Sequence, residues 1–200
     1  MPAPVTKPKL LVVEGIETCV FFDALLKQMG LADTVQTRDF GGVNELSSFL
    51  RTLPGTSGFS QVTSLGIVRD AEDNAQSAFQ SVCGSLKKAG FSVPQQLMVA
   101  VSGSPNVAVF LLPDCSSPGM LETLCLRSAE TDPVMSCVAE YFECVEANGS
   151  LPSNMDKARL HAFLASRNKP GLRLGEAAEK GYWPWSSPVF DPLKQFLRAL

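Results

Sequence analysis

The chain has 200 residues, 45% of them hydrophobic and 18% charged, which is enough for one well-buried domain with a smaller subdomain attached. No apolar run approaches the roughly 20 residues of a membrane span, and the short, Pro-broken start MPAPVTKPKLLVVEG does not read as a secretory signal, so a cytoplasmic protein is expected. The net charge of −3 and pI near 5.2 argue weakly against nucleic-acid binding, but the charge is uneven: residues 151–200 hold eight Lys/Arg against four Asp/Glu, and residues 1–150 hold nine against sixteen.

Residues 9–13, KLLVV, form a continuous apolar run closed by Glu14-Gly15, the pattern of a strand buried on both faces. Residues 17–29 place Cys19, Phe22, Leu26 and Met29 at helical spacing, and Gly30 stops them. A second strand is predicted over 34–40, turned by Gly41-Gly42, and a second helix over 43–53, stopped by Pro54-Gly55. The run LGIVR at 65–69 reads as a third buried strand, closed by Asp70-Ala71-Glu72-Asp73. A third helix follows over 74–89, with Phe79, Val82 and Leu86 on one face.

Two further strands are expected at 97–102 and 107–112, joined by a hairpin turn at 103–106. This alternation of strands and helices with short turns indicates a mostly parallel sheet covered on both faces. After Pro113 the pattern turns helical, over 121–129, 133–147, 155–167 and 192–200. The expected division is therefore an α/β domain at 1–117 and a helical C-terminal subdomain at 118–200 packed on it. Tyr182, Trp183 and Trp185 are suited to stacking bases, but packing of this segment onto the sheet is the preferred reading.

The six cysteines show neither CxxC nor Cys/His ligand spacing, and most lie in apolar helical patterns where a free thiol behaves as a small hydrophobe. His161 is the only histidine, which leaves carboxylates as the natural carriers of chemistry. In open α/β sheets, ligands sit beyond the carboxyl ends of the parallel strands. Glu14 ends the first strand and Asp70 the third, and alternation sends residues 70 and 72 to the same side. If those strands are neighbours, three carboxylates converge and repel, and a hard divalent cation such as Mg²⁺ or Mn²⁺ relieves the conflict. Acidic residues also cap helices in strand-to-helix loops, and Asp73 before Asn74 fits that role, so spacing by itself leaves both readings standing. The basic C-terminal segment suits a metal-dependent enzyme acting on a phosphate polyanion, and ordinary surface variation accounts for it equally well.

The segment LVVEGIETCVFFDALLKQMG resembles the first motif of TOPRIM domains, a hydrophobic strand ending in Glu-Gly before a helix. SLGIVRDAED is similar to their second motif, a strand ending in Asp-x-Asp, with Glu72 standing where the second Asp is usual. The likeness covers roughly residues 9–113. Over nearly its full length the chain also resembles small stand-alone bacterial TOPRIM-like proteins related to overcoming-lysogenization-defect nucleases. They carry a segment like Pro118 to Glu122 and a Lys-rich helix like residues 156–166.

The resemblance implies a TOPRIM-like, Rossmann-like fold and a Mg²⁺-dependent (or Mn²⁺-dependent) nuclease on DNA or RNA, acting in bacterial defence or repair. It makes Glu14 general base or metal ligand, Asp70 and Glu72 metal ligands, and Glu122 a ligand for a second metal. Lys157 would neutralise charge on the scissile phosphate. The resemblance also implies a partner ATPase, which this family branch often has encoded separately or fused, and this chain carries no GxxxxGK[ST] loop of its own; a dimer is compatible with it. Asp114 at a strand end ranks just below Glu122, and His161 shares a helical face with Lys157 but reads first as a packed or surface residue. The alternative is a non-catalytic TOPRIM-fold module that binds metal or nucleic acid. Receiver domains and haloacid-dehalogenase phosphatases fit less well, because both place an acidic pair after the first strand.

Overall fold

Residues with apolar side chains on both faces have to be covered on both faces, and the sheet is built accordingly. In the computed structural model, which describes residues 3–42 and 44–200, β1 (Lys9–Val13), β2 (Val35–Asp39), β3 (Ser64–Asp70) and β4 (Asn106–Leu112) form a sheet in the order β2-β1-β3-β4. Every strand pair in it is parallel, with Val13 beside Asp39 in one direction and Val68 in the other. β1 and β3 are therefore neighbours, the arrangement that brings Glu14 and Asp70 to one edge.

Side chains alternate between two cores. Leu11, Val13, Val68, Ala108 and Phe110 point to one face, Leu10, Val12, Ile67, Val107 and Val109 to the other. The second face is covered by α2 (Leu46–Thr52) and α3 (Ala75–Ala89). The first carries α1 (Ile16–Gln28), α4 (Leu121–Ser128), α5 (Val134–Ala147), α6 (Met155–Ala165), α7 (Leu174–Glu179) and α8 (Asp191–Ala199). Phe21 and Phe22 of α1 are fully buried there, each contributing about 1.5–3 kcal/mol by removal from water. The C-terminal aromatics close the same core: Trp183 stacks on Phe163 at 5.9 Å, and Trp185 packs against Phe21 and Phe190. Trp183, 1% exposed, is unavailable to a base.

Three expectations need correction. Residues 97–102 are not a strand; the segment meets β4 through a single bridge, Val101 with Val107, and the Met98 amide donating to Val109 O. Met98 has φ +65°, which takes the chain out of the extended region, so the apolar alternation there does not become a ladder. The second helix starts at Leu46, and Val43 lies outside the described residues. The cap of α3 is Asn74, not Asp73: its Oδ1 accepts from the Ser77 amide at 2.8 Å. α7, whose Ala- and Gly-rich sequence carries no apolar stripe, is an element the sequence reading does not contain. Among the described residues, no helix is long and apolar enough to cross a membrane.

Candidate functional site: an acidic cavity lined by two cations

A cavity of about 610 Å³ opens at the carboxyl ends of β1, β2 and β3. Glu14, Asp70 and Glu72 line it, joined by Glu122 from the first turn of α4 and by Lys157 and His161 from α6. The five residues singled out by motif thus share one hollow.

Each is placed by local structure. Gly15, with φ +85°, turns the chain from β1 into α1, so that Glu14 stands at the strand mouth rather than inside a helix. Asp39 fixes that turn from the neighbouring strand: its Oδ1 accepts from the Gly15 amide at 2.8 Å and the Gly41 amide at 2.7 Å. Glu72 adopts φ +54°, uncommon for a residue other than Gly, Asn or Asp. Two hydrogen bonds hold it there, Glu72 N to Gly119 O at 2.9 Å and Gly119 N to Glu72 O at 2.7 Å. Strain kept in place by such a clamp is a feature of functional sites. Asp70 Oδ1 accepts from the Leu121 amide at the start of α4, 3.0 Å away, which ties the β3 terminus to the helix that carries Glu122.

Crowding sets the electrostatics. Burial, followed by the nearby charges of Glu122, Glu14 and Glu72, pushes the Asp70 carboxyl up to about 8, with the Leu121 amide pulling against them. Glu14 is raised as well, first by burial and then by Glu72 and Asp39; Arg69 and Lys157 oppose. Arg69, 5% exposed, comes from the α3 side of the sheet, where its Nη1 donates to Ser81 Oγ at 3.2 Å. Its Nε lies 4.0 Å from Glu14 Oε2, and among the described residues neither of these buried atoms has a hydrogen-bond partner.

Two cations line the same cavity, each beside one of its acids. Lys157 Nζ stands 4.0 Å from Glu122 Oε1 and is largely exposed. Arg173, just before α7, pairs with Glu17 Oε1 at 3.3 Å and leaves most of its guanidinium in water. Glu17 Oε2 also accepts from the Gly175 amide at 3.2 Å, which moors α7 to α1 and holds Arg173 at the cavity rim.

The donor set fits a hard cation in its chemistry: oxygen ligands, a buried carboxylate oxygen without a partner, and an acid that crowding keeps protonated near neutrality. The side chains are not gathered around one point, however. Among the described residues no three His, Cys, Asp or Glu side chains are placed to hold one ion. Thiol chemistry is remote from the site: burial pushes Cys19 up to about 12 and Cys125 well above its ordinary range, and neither lines the cavity. All six cysteines are free.

Residues 8–200 match the family described as "Protein of unknown function (DUF3226)". The chain belongs to that family. Among curated proteins, none matches it. Among solved structures, it is similar to the C-terminal region of the OLD protein of Xanthomonas campestris pv. campestris, with 11% identity, a TM-score of 0.48 and 96% of each chain covered.

One sequence-predicted residue of this DUF3226 chain lies elsewhere. Asp114 does not line the cavity; it organises the turn after β4, accepting from the Ser116 and Ser117 amides and from Arg127 Nη1 at 2.6 Å. Burial opposes its ionisation, but these donors outweigh burial and hold the carboxyl below the usual carboxylate range. His161 does line the cavity, beside Lys157 on the α6 wall. Three residues escaped sequence reasoning. Asp39, an acid closing a strand before Gly41-Gly42, repeats the pattern of Glu14-Gly15 and was legible in principle. Arg69, a lone cation in the apolar run SLGIVRD, was a second signal. Arg173 had no marker beyond the basic character of its segment.

Proposed function

We propose that the cavity is a divalent-cation site for phosphodiester hydrolysis, and that the chain is a TOPRIM-type nuclease using Mg²⁺ or Mn²⁺ on DNA or RNA. The observation that carries this reading is the gathering of Glu14, Glu72 and Glu122 about the buried Asp70, whose carboxyl is pushed up to about 8, in a cavity that Lys157 and Arg173 also line. Asp70 and Glu72 would hold the ion, with Glu14 as a further ligand or as general base and Glu122 available to a second ion. A divalent cation there would polarise a phosphoryl oxygen and lower the pKa of a bound water.

The protein's own groups supply the rest. Lys157 meets the charge that develops on the phosphate. Arg173 binds the phosphate chain at the rim, and Asp39 keeps the β1 and β2 termini in register with each other. Where Glu14 serves as general base rather than as ligand, it would accept a proton from the attacking water. Metal-dependent cleavage of single- and double-stranded DNA and RNA tests the proposal. Activity that requires Mg²⁺ or Mn²⁺ and is lost in Glu14→Ala and Asp70→Ala is expected. Absence of cleavage under every cation contradicts it. One observation favours a second reading, a module that binds metal or nucleic acid without turnover: among the described residues no three acidic side chains are placed to hold one ion. Cation binding without any cleavage decides for that reading.

A further inference from the structure

A charge is costly to bury without partners, and among the described residues Arg69 is the only charged residue that is buried. Two groups stand beside its guanidinium. Nη1 donates to Ser81 Oγ of α3 at 3.2 Å, and Nε lies 4.0 Å from Glu14 Oε2. No other carboxylate among the described residues comes within 4.0 Å of it, although Glu72 and Asp73 border a small hollow that Arg69 also lines. Nε and Oε2 are both buried, and neither has a hydrogen-bond partner among the described residues. Leaving such atoms unpaired is unfavourable, and an approach of about 1 Å makes them a hydrogen bond.

The sheet register explains the pairing. Val13 lies beside Val68, so Glu14 and Arg69 follow as the next neighbours along β1 and β3. Alternation places them with Val12 and Ile67, on the face that α2 and α3 cover. Asp70 leaves on the other face, where the Leu121 amide of α4 meets it. Glu14 Oε2 is thus turned inward beside the guanidinium, and Oε1 is the oxygen left for the cavity that Glu14 lines. Arg69 does not line that cavity itself.

We infer that Arg69 is a positioning residue for the reaction: braced by Ser81, it holds back Oε2 of Glu14, so that Glu14 offers the cavity one oxygen in a fixed direction. The inference rests on the phosphodiester reading above and adds to it a residue that acts only through Glu14.

A double-mutant cycle in chemical denaturation tests the contact in the full-length protein without added metal. Arg69→Met, Glu14→Gln and the double variant are compared with wild type. The double variant should be less destabilised than the two single losses together, because each single change leaves one member of the pair without its partner. Additive losses overturn the proposal. Ser81 is exposed, so Ser81→Ala replaces Arg69→Met in the cycle if the latter does not fold, with the same expectation.

Cation binding and turnover give a readout that a merely structural role would not. Arg69→Met removes a positive charge close to the acids, so calorimetry should show Mn²⁺ bound at least as tightly as by wild type. Cleavage by the same variant should slow roughly tenfold or more. Mn²⁺ binding and cleavage weakened together would make Arg69 a support of the fold and overturn the proposal, as would unchanged cleavage. Additive denaturation beside cleavage that needs Glu14 and Asp70 removes the role of Arg69 and leaves the phosphodiester reading. Coupling without cleavage under any cation keeps the contact and removes that reading.

Discussion

Asp70 sits where burial and three neighbouring carboxylates all favour its protonated form. In the unfolded chain the same group titrates near 4. Between pH of about 4 and 8 the folded protein therefore keeps a proton that the unfolded chain has lost, so this group makes stability fall as pH rises through that window and level off above it. Asp70→Asn removes the penalty. In EDTA at pH 8 the variant is expected to be more stable than wild type by about 2 kcal/mol, and to lose this part of the pH dependence in thermal melts. A variant less stable than wild type at pH 8 would show that the Leu121 amide contact outweighs the crowding. Asp114 illustrates why acidic residues at strand ends have to be separated by their partners rather than by position. It carries the same residue type at the same sheet edge, yet donors from Ser116, Ser117 and Arg127 satisfy it fully, and it has no capacity left for a ligand.

Among the elements, α7 matters beyond its six residues. It lies so close to α1 that a Cβ on Gly175 would fall 2.7 Å from Glu17 O and from Val20 Cβ. Alanine is the better helix former, but the collision is with backbone and a β-branched side chain, and sterics should win. Gly175→Ala is expected to destabilise the fold by about 1–3 kcal/mol in chemical denaturation. It should also displace Arg173, weakening phosphate binding at the rim; unchanged stability would mean that α1 and α7 are less tightly coupled than their approach implies.

The elements also explain what the sequence could reveal. β1, β3 and β4 were legible because strands buried on both faces must be apolar throughout, and KLLVV and LGIVR have no other economical reading. α7 was hidden because close helix approach selects Gly and Ala, which leave no apolar period. Residues 97–102 misled for the opposite reason: Val99 and Val101 alternate as a strand would, while the positive φ of Met98, invisible in the sequence, prevents it.

Across the whole molecule, the two unevenly charged parts of the chain meet in one cavity. The acids come from the first 150 residues, while Lys157 and Arg173 come from the last 50. The motif residues Glu14, Asp70, Glu72, Glu122 and Lys157 were readable because strand ends and helix starts fix where such side chains emerge. Asp39 and Arg69 carried their own marks in the sequence, an acid before Gly41-Gly42 and a cation in an apolar run, but their contacts with Gly15 and Glu14 follow from which strands became neighbours. Trp183 is core, as the preferred reading of its segment expects, whereas Tyr141 is exposed on α5, of which only Val138 and Phe142 are buried.

If a divalent cation takes the place of the proton on Asp70, calorimetric titration with Mn²⁺ at pH 7 in two buffers of different ionisation enthalpy will show it. Saturable binding with release of about one proton per ion is predicted for wild type, together with loss of both in Asp70→Ala. Absence of saturable binding, or binding and proton release unchanged in Asp70→Ala, would mean that no cation replaces that proton.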